Sequence, residues 1–207
     1  MKTCKVEGCN GKHIAKGYCD KHYRQYKRYG KISERTRFDP NKIIEYDDYA
    51  EIVLYNKHCE EVARALIDLE DVDKVKGYKW HLRKDGYVST HITKGETTLL
   101  HRLIMDCPDD KLVDHINHNK LDNRETNLRI CTKSQNAMNQ NIKSNNTSGI
   151  VGVSWDKKNE KWIANIGLSG KYINLGYFDN IEEAAKKRKQ AEIDLFGDYR
   201  NKDEDVS

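Results

Sequence analysis

The 207-residue sequence contains no apolar run near the roughly eighteen residues that mark a membrane-spanning helix. No apolar core follows Met1-Lys2-Thr3-Cys4, as an export signal would require. Both absences predict a protein kept in the cytoplasm, with no membrane partner. Only two prolines are present, which excludes a proline-rich linker, and no internal repeat is visible. Apolar residues are also scarce: 37% of the chain is hydrophobic and 34% is charged. That is too little for one large core, and small units bury proportionally less of their surface. Several compact units are therefore expected, at least one of them stabilised by metal. Six cysteines in a reducing compartment read as metal ligands or free thiols, not disulfides.

Charge is present in both signs but unevenly spread. The formal net charge is +4, yet residues 1–37 carry eleven Lys/Arg against three Asp/Glu, and residues 38–80 carry six against eleven. The basic head is an electrostatic handle for a polyanion or, in the plainer alternative, a solvated basic surface.

Composition divides the chain. Residues 1–30 form a Cys/His-rich head. Residues 31–98 start acidic and become strand-like: Ala50 to Tyr55 is an apolar β-branched run, and Tyr78 to Leu82 and Tyr87 to Ile92 flank the turn signal Lys84-Asp85-Gly86. Residues 99–142 hold the densest polar chemistry. A polar linker over 143–148 precedes a unit over 149–200, and residues 201–207 form an acidic tail. In that last unit three strands are expected at Ile150–Trp155, Lys161–Leu168 and Lys171–Tyr177. A helix should follow from Ile181 to Phe196, with Ile181, Ala184, Ala185, Ala191 and Leu195 near one face.

In the head, Cys4, Cys9, Cys19 and His22 follow a C-x4-C-x9-C-x2-H spacing. Three thiolates and an imidazole make a sufficient tetrahedral shell for a structural Zn²⁺. A unit with so little core would draw its folding free energy from that ion. Unlinked free cysteines are the alternative, and His13 is a competing ligand better placed on the surface. Tyr23-Arg24-Gln25-Tyr26-Lys27-Arg28-Tyr29 then offers Arg24, Lys27 and Arg28 to phosphates. The run Lys16-Gly17-Tyr18-Cys19-Asp20-Lys21-His22-Tyr23 resembles short zinc-binding heads of phage and bacterial DNA-acting proteins.

Hydrolysis of a phosphodiester needs a base for water and a hard cation for the phosphate. Oxygen donors suit Mg²⁺ or Mn²⁺, and Asp114 and Asn136 can supply two of them. His115, next to Asp114 on an expected strand from Leu112 to Ile116, points to the other side and can meet the attacking water. Leu128 to Cys131 reads as the partner strand. Thr132, with Gln135 three residues on, opens a helix by a capping box. His118 reads as a loop residue in preference to a second metal ligand. His101 is expected to pack or hydrogen-bond locally, and Cys59, Cys107 and Cys131 read as unpaired thiols in or near the core.

Leu112-Val-Asp114-His115-Ile-Asn117-His118-Asn119, Asn123-Arg-Glu-Thr-Asn127-Leu-Arg129 and Ser134-Gln-Asn136-Ala-Met-Asn139 resemble the HNH family, the ββα-metal or His-Me finger nucleases, and specifically homing-type phage endonucleases. The likeness extends to Lys79-Trp80-His81-Leu82, Asp85-Gly86-Tyr87 and His101-Arg102-Leu103, so it spans roughly residues 50–140. It implies His115 as general base, Asn127 as the residue that holds the connecting loop and orients that base, and Asp114 with Asn136 as holders of one cation. Where some relatives carry His at the third position, this chain carries Asn136. A bacterial or phage-infected cell is the implied setting.

Residues 148–200 resemble the Apetala-type, or ethylene-response-factor, DNA-binding domain. The matching pieces are Ser148-Gly149-Ile-Val-Gly152-Val153-Ser-Trp155, Lys161-Trp162-Ile-Ala-Asn-Ile166, Leu175-Gly176-Tyr177-Phe178 and Glu183-Ala184-Ala185. That likeness implies a sheet in the major groove. Ser154, Asp156, Asn165, Gly167 and Asn174 stand where the family places its base readers, so the family's target sequence does not carry over. Trp155, Lys157, Lys158, Lys161 and Lys171 are the candidate contacts, and Lys186, Lys187, Arg188 and Lys189 read as a solvated helix face.

The expected architecture is α+β: a zinc head, a ββα core with preceding antiparallel strands, and a three-stranded sheet with one helix. The expected activity is Mg²⁺- or Mn²⁺-dependent nicking of double-stranded DNA by a monomer, leaving a 3′-hydroxyl and a 5′-phosphate. No small-molecule cofactor is implied. The alternative is a non-cleaving, sequence-specific DNA-binding regulator on the same scaffold. An RNA-directed nuclease is the weakest reading, since no aromatic RNA-binding signature is present.

Overall fold

A computed structural model describes residues 3–32, Arg35, 39–93 and 95–201. All but the first residue of the expected acidic tail lies outside them. Along the chain come helix α1 (Asp20–Tyr29), strands β1 (Ile43–Glu45), β2 (Ala50–Tyr55) and β3 (Glu61–Ile67), and the short helix α2 (Val72–Val75). Strands β4 (His81–Leu82), β5 (Val88–Thr93) and β6 (Glu96–Leu99) follow, then helix α3 (Leu100–Ile104). The hairpin β7 (Leu112–His115) and β8 (Leu128–Cys131) leads into α4 (Lys133–Asn136), and β9 (Val153–Asp156), β10 (Lys161–Leu168), β11 (Lys171–Phe178) and α5 (Ile181–Phe196) complete the chain. The architecture is α+β with antiparallel sheets, as the sequence predicts. Among the described residues no helix is long and apolar enough to cross a membrane.

The main core grows from β2. Its apolar run has Ala50, Ile52 and Leu54 fully buried, and β3 answers with Ala65 and Ile67. Val75, Trp80, Val88, Leu100, Ile104, Val113 and Leu128 join the same cluster. One core therefore holds β1–β3, the β4–β6 sheet, α3 and the β7–β8 hairpin together. Trp80 sits at its centre, 1% exposed, with its indole N–H donated to the Val75 carbonyl at 3.0 Å. Asn41 clamps the main chain around it, donating to the Val53 and Trp80 carbonyls and accepting the Trp80 N–H.

The C-terminal unit has two small clusters between sheet and helix. Val153, Ala164 and Ala184 pack with Trp162, Leu175, Phe178 and Ile181. Ile166, Ala191 and Phe196 pack with Met138, which reaches over from the segment after α4. Asn180 caps α5 by accepting the Glu182 N–H at 2.8 Å. Three readings change here. Leu195 is exposed and Phe196 takes its place inside. Arg188 is not solvated: it falls four residues after Ala184 on the buried stripe and pairs with Glu192 at 2.5 Å. Gly152 makes room for it, since a Cβ there would collide with the Arg188 side chain and the Asn165 carbonyl. The first strand starts at Val153 rather than Ile150, because Ser148 draws the chain into a turn, bonding the Ile150 and Val153 carbonyls.

The head meets the main body at the β2–β3 turn. Lys31 pairs with Glu60 at 2.8 Å, and Tyr29 lies edge-on to His58 with ring centroids 5.8 Å apart.

Replacing Trp80 with alanine removes the largest fully buried side chain and leaves a cavity against β2, α2 and α3. Urea denaturation is expected to show a loss of about 3–5 kcal/mol, and a loss below 1 kcal/mol would mean that Trp80 does not organise this core.

Candidate active site and metal cluster

The N-terminal ligands converge. The Sγ atoms of Cys4, Cys9 and Cys19 and a ring nitrogen of His22 lie within 4.8 Å of one another. Cys9 and Cys19 Sγ are 3.8 Å apart, and His22 Nδ1 is 3.5 Å from Cys19 Sγ and 3.2 Å from Cys4 Sγ. Tetrahedral Zn²⁺, with Zn–S of ~2.3 Å and Zn–N of ~2.0 Å, sets ligand atoms ~3.5–3.8 Å apart. The donor set fits such an ion, with the Cys4–His22 edge slightly short. Burial would raise the Cys4 thiol, but the main-chain groups of Val6 and Cys19 and the His22 and Cys19 side chains outweigh it and bring it down to about 6. Gly11 closes the pocket: a Cβ there would stand 2.7 Å from Cys19 Cβ. His13 is outside the cluster, its Nε2 accepting the Gly17 N–H at 2.9 Å.

Cys19 is the N-cap of α1, so the helix starts on a ligand and buries His22 in its first turn. Arg24, Lys27 and Arg28 are exposed. Their spacing of three and four puts them on one face, turned away from His22. Arg24 pairs with Asp20 at 3.0 Å, and the Arg28 guanidinium lies 5.5 Å from the Tyr29 ring.

The second site is built on the β7–β8 register, which sets Asp114 opposite Arg129 and His115 opposite Leu128. The connection between the strands is tied at several points. Asn127 Oδ1 accepts the Asn117 N–H at 3.0 Å, and Asn127 Nδ2 donates to the Asp122 carbonyl at 2.8 Å. Asp122, 3% exposed, takes both Arg124 nitrogens at 2.8 Å. The loop also docks on the edge of β3: Leu66 N–H donates to the Leu121 carbonyl, and Asn123 N–H donates to the Leu66 carbonyl. These bonds place Asn123, 1% exposed, beneath His115.

His115 is 5% exposed, and its Nε2 is 3.4 Å from Asn123 Oδ1. Asn123 Nδ2 donates to the Lys120 carbonyl at 3.3 Å, which fixes the amide with its oxygen toward the ring. An amide oxygen only accepts, so Nε2 carries the proton and Nδ1 keeps a lone pair. Burial pushes the imidazole below the ordinary histidine value, against the opposing pull of Asn123, Asp114 and Asp122. His101, on α3, meets it edge to face at 5.0 Å, and Tyr87 lies 5.3 Å from His101 and 5.9 Å from His115. Burial, then the neighbouring His115 and Arg102, drive His101 down to about 3. It stands as a neutral wall, with a buried Nδ1 that has no hydrogen-bond partner among the described residues.

Asp114 is 8% exposed. Its Oδ2 accepts Arg129 Nε at 2.9 Å, Arg129 Nη2 at 2.6 Å and Asn139 Nδ2 at 3.0 Å, while Oδ1 has only Asn139 Nδ2 at 3.2 Å. Asn139 also donates to the His115 and Ile116 carbonyls. Its own Oδ1 is buried without a partner among the described residues, one amide away from the carboxylate. Asn136 is half-buried at the end of α4. That helix is one turn long, opened by the Thr132–Gln135 capping box, and then tightens over Ala137–Asn139. The hydrogen bonds to Asp114 thus come from Arg129 and Asn139, not from Asn136. A carboxylate and neighbouring amide oxygens are hard donors of the kind that Mg²⁺ and Mn²⁺ take.

The remaining candidates lie on the C-terminal sheet. Trp155 pairs across strands with Trp162, rings 5.3 Å apart, and Trp162 pairs with Phe178. Directly paired residues share a face, so Trp155 stands on the α5 side, 46% exposed. Lys161 pairs with Asp179 at 3.0 Å. Lys157 and Lys158 are exposed in the β9–β10 turn, and Lys171 is exposed at the start of β11. Tyr172, opposite Gly167, is 87% exposed.

A family model described as HNH endonuclease matches residues 99–138, the segment that carries α3, the hairpin and α4. An uncharacterised HNH endonuclease of Acanthamoeba polyphaga mimivirus is 34% identical over 142 residues, covering 65% of this chain and 72% of its own length. The chain belongs to the HNH endonuclease family. Protein 3.8 of Escherichia phage T7 is 35% identical over 78 residues, 38% of this chain and 64% of that protein. No solved structure matches the chain.

In this member of the family, the spacing of residue types along the sequence does not announce Asn123, His101, Tyr87, Arg129 or Asn139 as parts of the site. All five stand inside the family-like motifs, but those motifs give none of them a role at the site. They are brought in by strand register, by the docking of the loop on β3 and by packing of distant segments.

Chelator treatment of the purified protein is expected to unfold α1 and remove the bound ion. Cys19→Ser should do the same without chelator, and Gly11→Ala should weaken ion retention. Metal content by elemental analysis and helical signal by circular dichroism read the outcome. Protein purified without any bound metal would show that the four ligands meet without holding an ion, and α1 left intact after chelation would show that the helix does not depend on one.

Proposed function

We propose that the chain is a metal-dependent endonuclease that nicks double-stranded DNA. One observation carries the reading: a buried imidazole, its Nε2 tied to Asn123 and its Nδ1 lone pair spare, stands one residue from a buried carboxylate in a hairpin-and-helix frame. His115 Nδ1 is the general base toward water, and its neutrality follows from burial. Asn127 holds the loop that presents it, and Asn123 holds its tautomer. Asp114 and Asn136 are the residues to hold one Mg²⁺ or Mn²⁺, with the open Oδ1 of Asp114 as the first oxygen. When bound, that ion supplies charge stabilisation at the phosphate and the leaving 3′-oxygen. His101 and Tyr87 wall off the far side of the ring, so the proton has one direction in which to go. The products are a 3′-hydroxyl and a 5′-phosphate.

The head, with Zn²⁺ on Cys4, Cys9, Cys19 and His22, offers Arg24, Lys27 and Arg28 to the DNA backbone. The sheet of β9–β11 and α5 is read as an Apetala-type domain, with Lys157, Lys158, Lys161 and Lys171 toward the duplex; Trp155, on the α5 side of the sheet, drops out of that set. Phosphate contacts of this kind position without specifying sequence. One centre per chain predicts nicks by a monomer, in a homing or phage-genome-processing role.

A second reading is a DNA-binding regulator that does not cut. The observation in its favour is that Asp114 Oδ2 already carries the Arg129 cation. One assay separates the two. Supercoiled plasmid incubated with wild type and Mg²⁺ or Mn²⁺ is expected to become open-circular, and to stay supercoiled in EDTA. His115→Ala should slow nicking by at least about 100-fold, the lower range for a general base. Asn123→Ala, which frees the ring without removing it, should cost about tenfold, as orienting partners do. Plasmid left supercoiled by wild type across divalent ions and cognate DNA would favour the regulator.

A further inference from the structure

The Arg129 guanidinium is shared between two parts of the chain. On one side Nε and Nη2 hold Asp114 Oδ2 at 2.9 and 2.6 Å. On the other, Nη1 donates to the Asp198 carbonyl, Nη2 reaches the Tyr199 carbonyl at 3.4 Å, and the Tyr199 ring lies 4.9 Å from the guanidinium carbon. Asp198 and Tyr199 form the turn Gly197–Tyr199 that closes α5, so they belong to the C-terminal unit. That turn is seated on the segment after α4. Met138 packs with Phe196, and Asn201 Nδ2 donates to Asn141 Oδ1 at 3.1 Å and to the Gln140 carbonyl at 3.5 Å. The pair is largely dry, with side chains 14% and 9% exposed for Arg129 and Asp114.

A carboxylate oxygen offers about two lone pairs. Three donors saturate Oδ2, whereas Oδ1 has one amide contact. The planar fork of Arg129 therefore fixes the rotation of the carboxylate so that Oδ1 is the oxygen left open. A lysine, with one compact ammonium, could not hold Asp114 by two bonds and span to the turn at once.

We propose that Arg129 is a positioning residue through which the seat of the C-terminal unit sets the cation affinity of Asp114. The inference rests on the reading of Asp114 as a cation holder. Loosening the Gly197–Tyr199 turn frees the guanidinium, lets the carboxylate rotate, and removes the fixed orientation of Oδ1. The C-terminal unit thereby acts on the centre without contributing a group to it.

The test is Mn²⁺ binding to the full-length, zinc-loaded chain without DNA, read by electron paramagnetic resonance of free Mn²⁺. Asp114→Asn should abolish binding, and if affinity does not change, the cation-site reading fails, whatever the role of Arg129. Wild type that takes up no Mn²⁺ overturns both. Tyr199→Ala, remote from the reacting groups, is expected to weaken binding about fivefold or more, the lower end of coupling between sites. Arg129→Lys should weaken it too, although charge is kept. Tyr199→Phe retains the ring and the main-chain carbonyl and should restore wild-type affinity, which a general folding defect would not predict. Circular dichroism of each variant checks that the fold persists. Mn²⁺ affinity unchanged in Tyr199→Ala would overturn the coupling. Tighter binding would also overturn it, showing that Arg129 competes with the cation.

Discussion

Adjacent residues of a strand face opposite ways, and on β7 that places Asp114 against Arg129 and His115 over Asn123. A slip of one residue would exchange their sides and leave a carboxylate where the imidazole belongs. The rest of this region serves to forbid that slip. Asn127 ties both ends of the loop, Leu66 binds it to β3 from outside, and the capping box at Thr132 starts α4 at a set point. Apolar contacts alone would not do so, because Val113 and Leu128 are small anchors in a two-stranded hairpin.

The same economy runs through the chain. With so few apolar residues, each unit closes by a different device: a shared core around Trp80, a Cys₃His cluster, and two small clusters under α5. Small units bury a lower fraction of surface and lean on such supports. Arg188 shows the cost of a thin core. It fills a helix position that a larger domain would give to an aliphatic residue, and it depends on Glu192 and on the missing side chain of Gly152.

Much of this was legible from local pattern. β2, β8, β10 and α5 fall where alternation, β-branching or helical spacing put them, and the four head ligands meet as their types and spacing imply. The α+β class follows from the same signals. β3 was hidden, because Ala63 and Ala65 carry helix propensity while the sheet uses them as small inward residues beside β2. The site was legible at Asp114, His115 and Asn127, where neighbours in sequence are neighbours in space. Asn139 was not, since only the tightening of α4 into a 3₁₀ turn swings it onto the carboxylate. Arg129 was not, since its second set of partners lies about seventy residues on. Trp155 reads as a DNA contact in sequence, and strand pairing moves it to the α5 side of the sheet.

The attachment of the head differs in kind from everything around it. An exposed ion pair between Lys31 and Glu60 and one ring edge between Tyr29 and His58 join it to the β2–β3 turn. Surface charges of this sort are screened over about 10 Å at 0.1 M salt, and dry packing is not. Rising ionic strength therefore loosens the hold on the basic helix while leaving the packed hairpin untouched. Head and core thus respond to their surroundings on different scales, and the seating of the head becomes a property of the medium as much as of the fold.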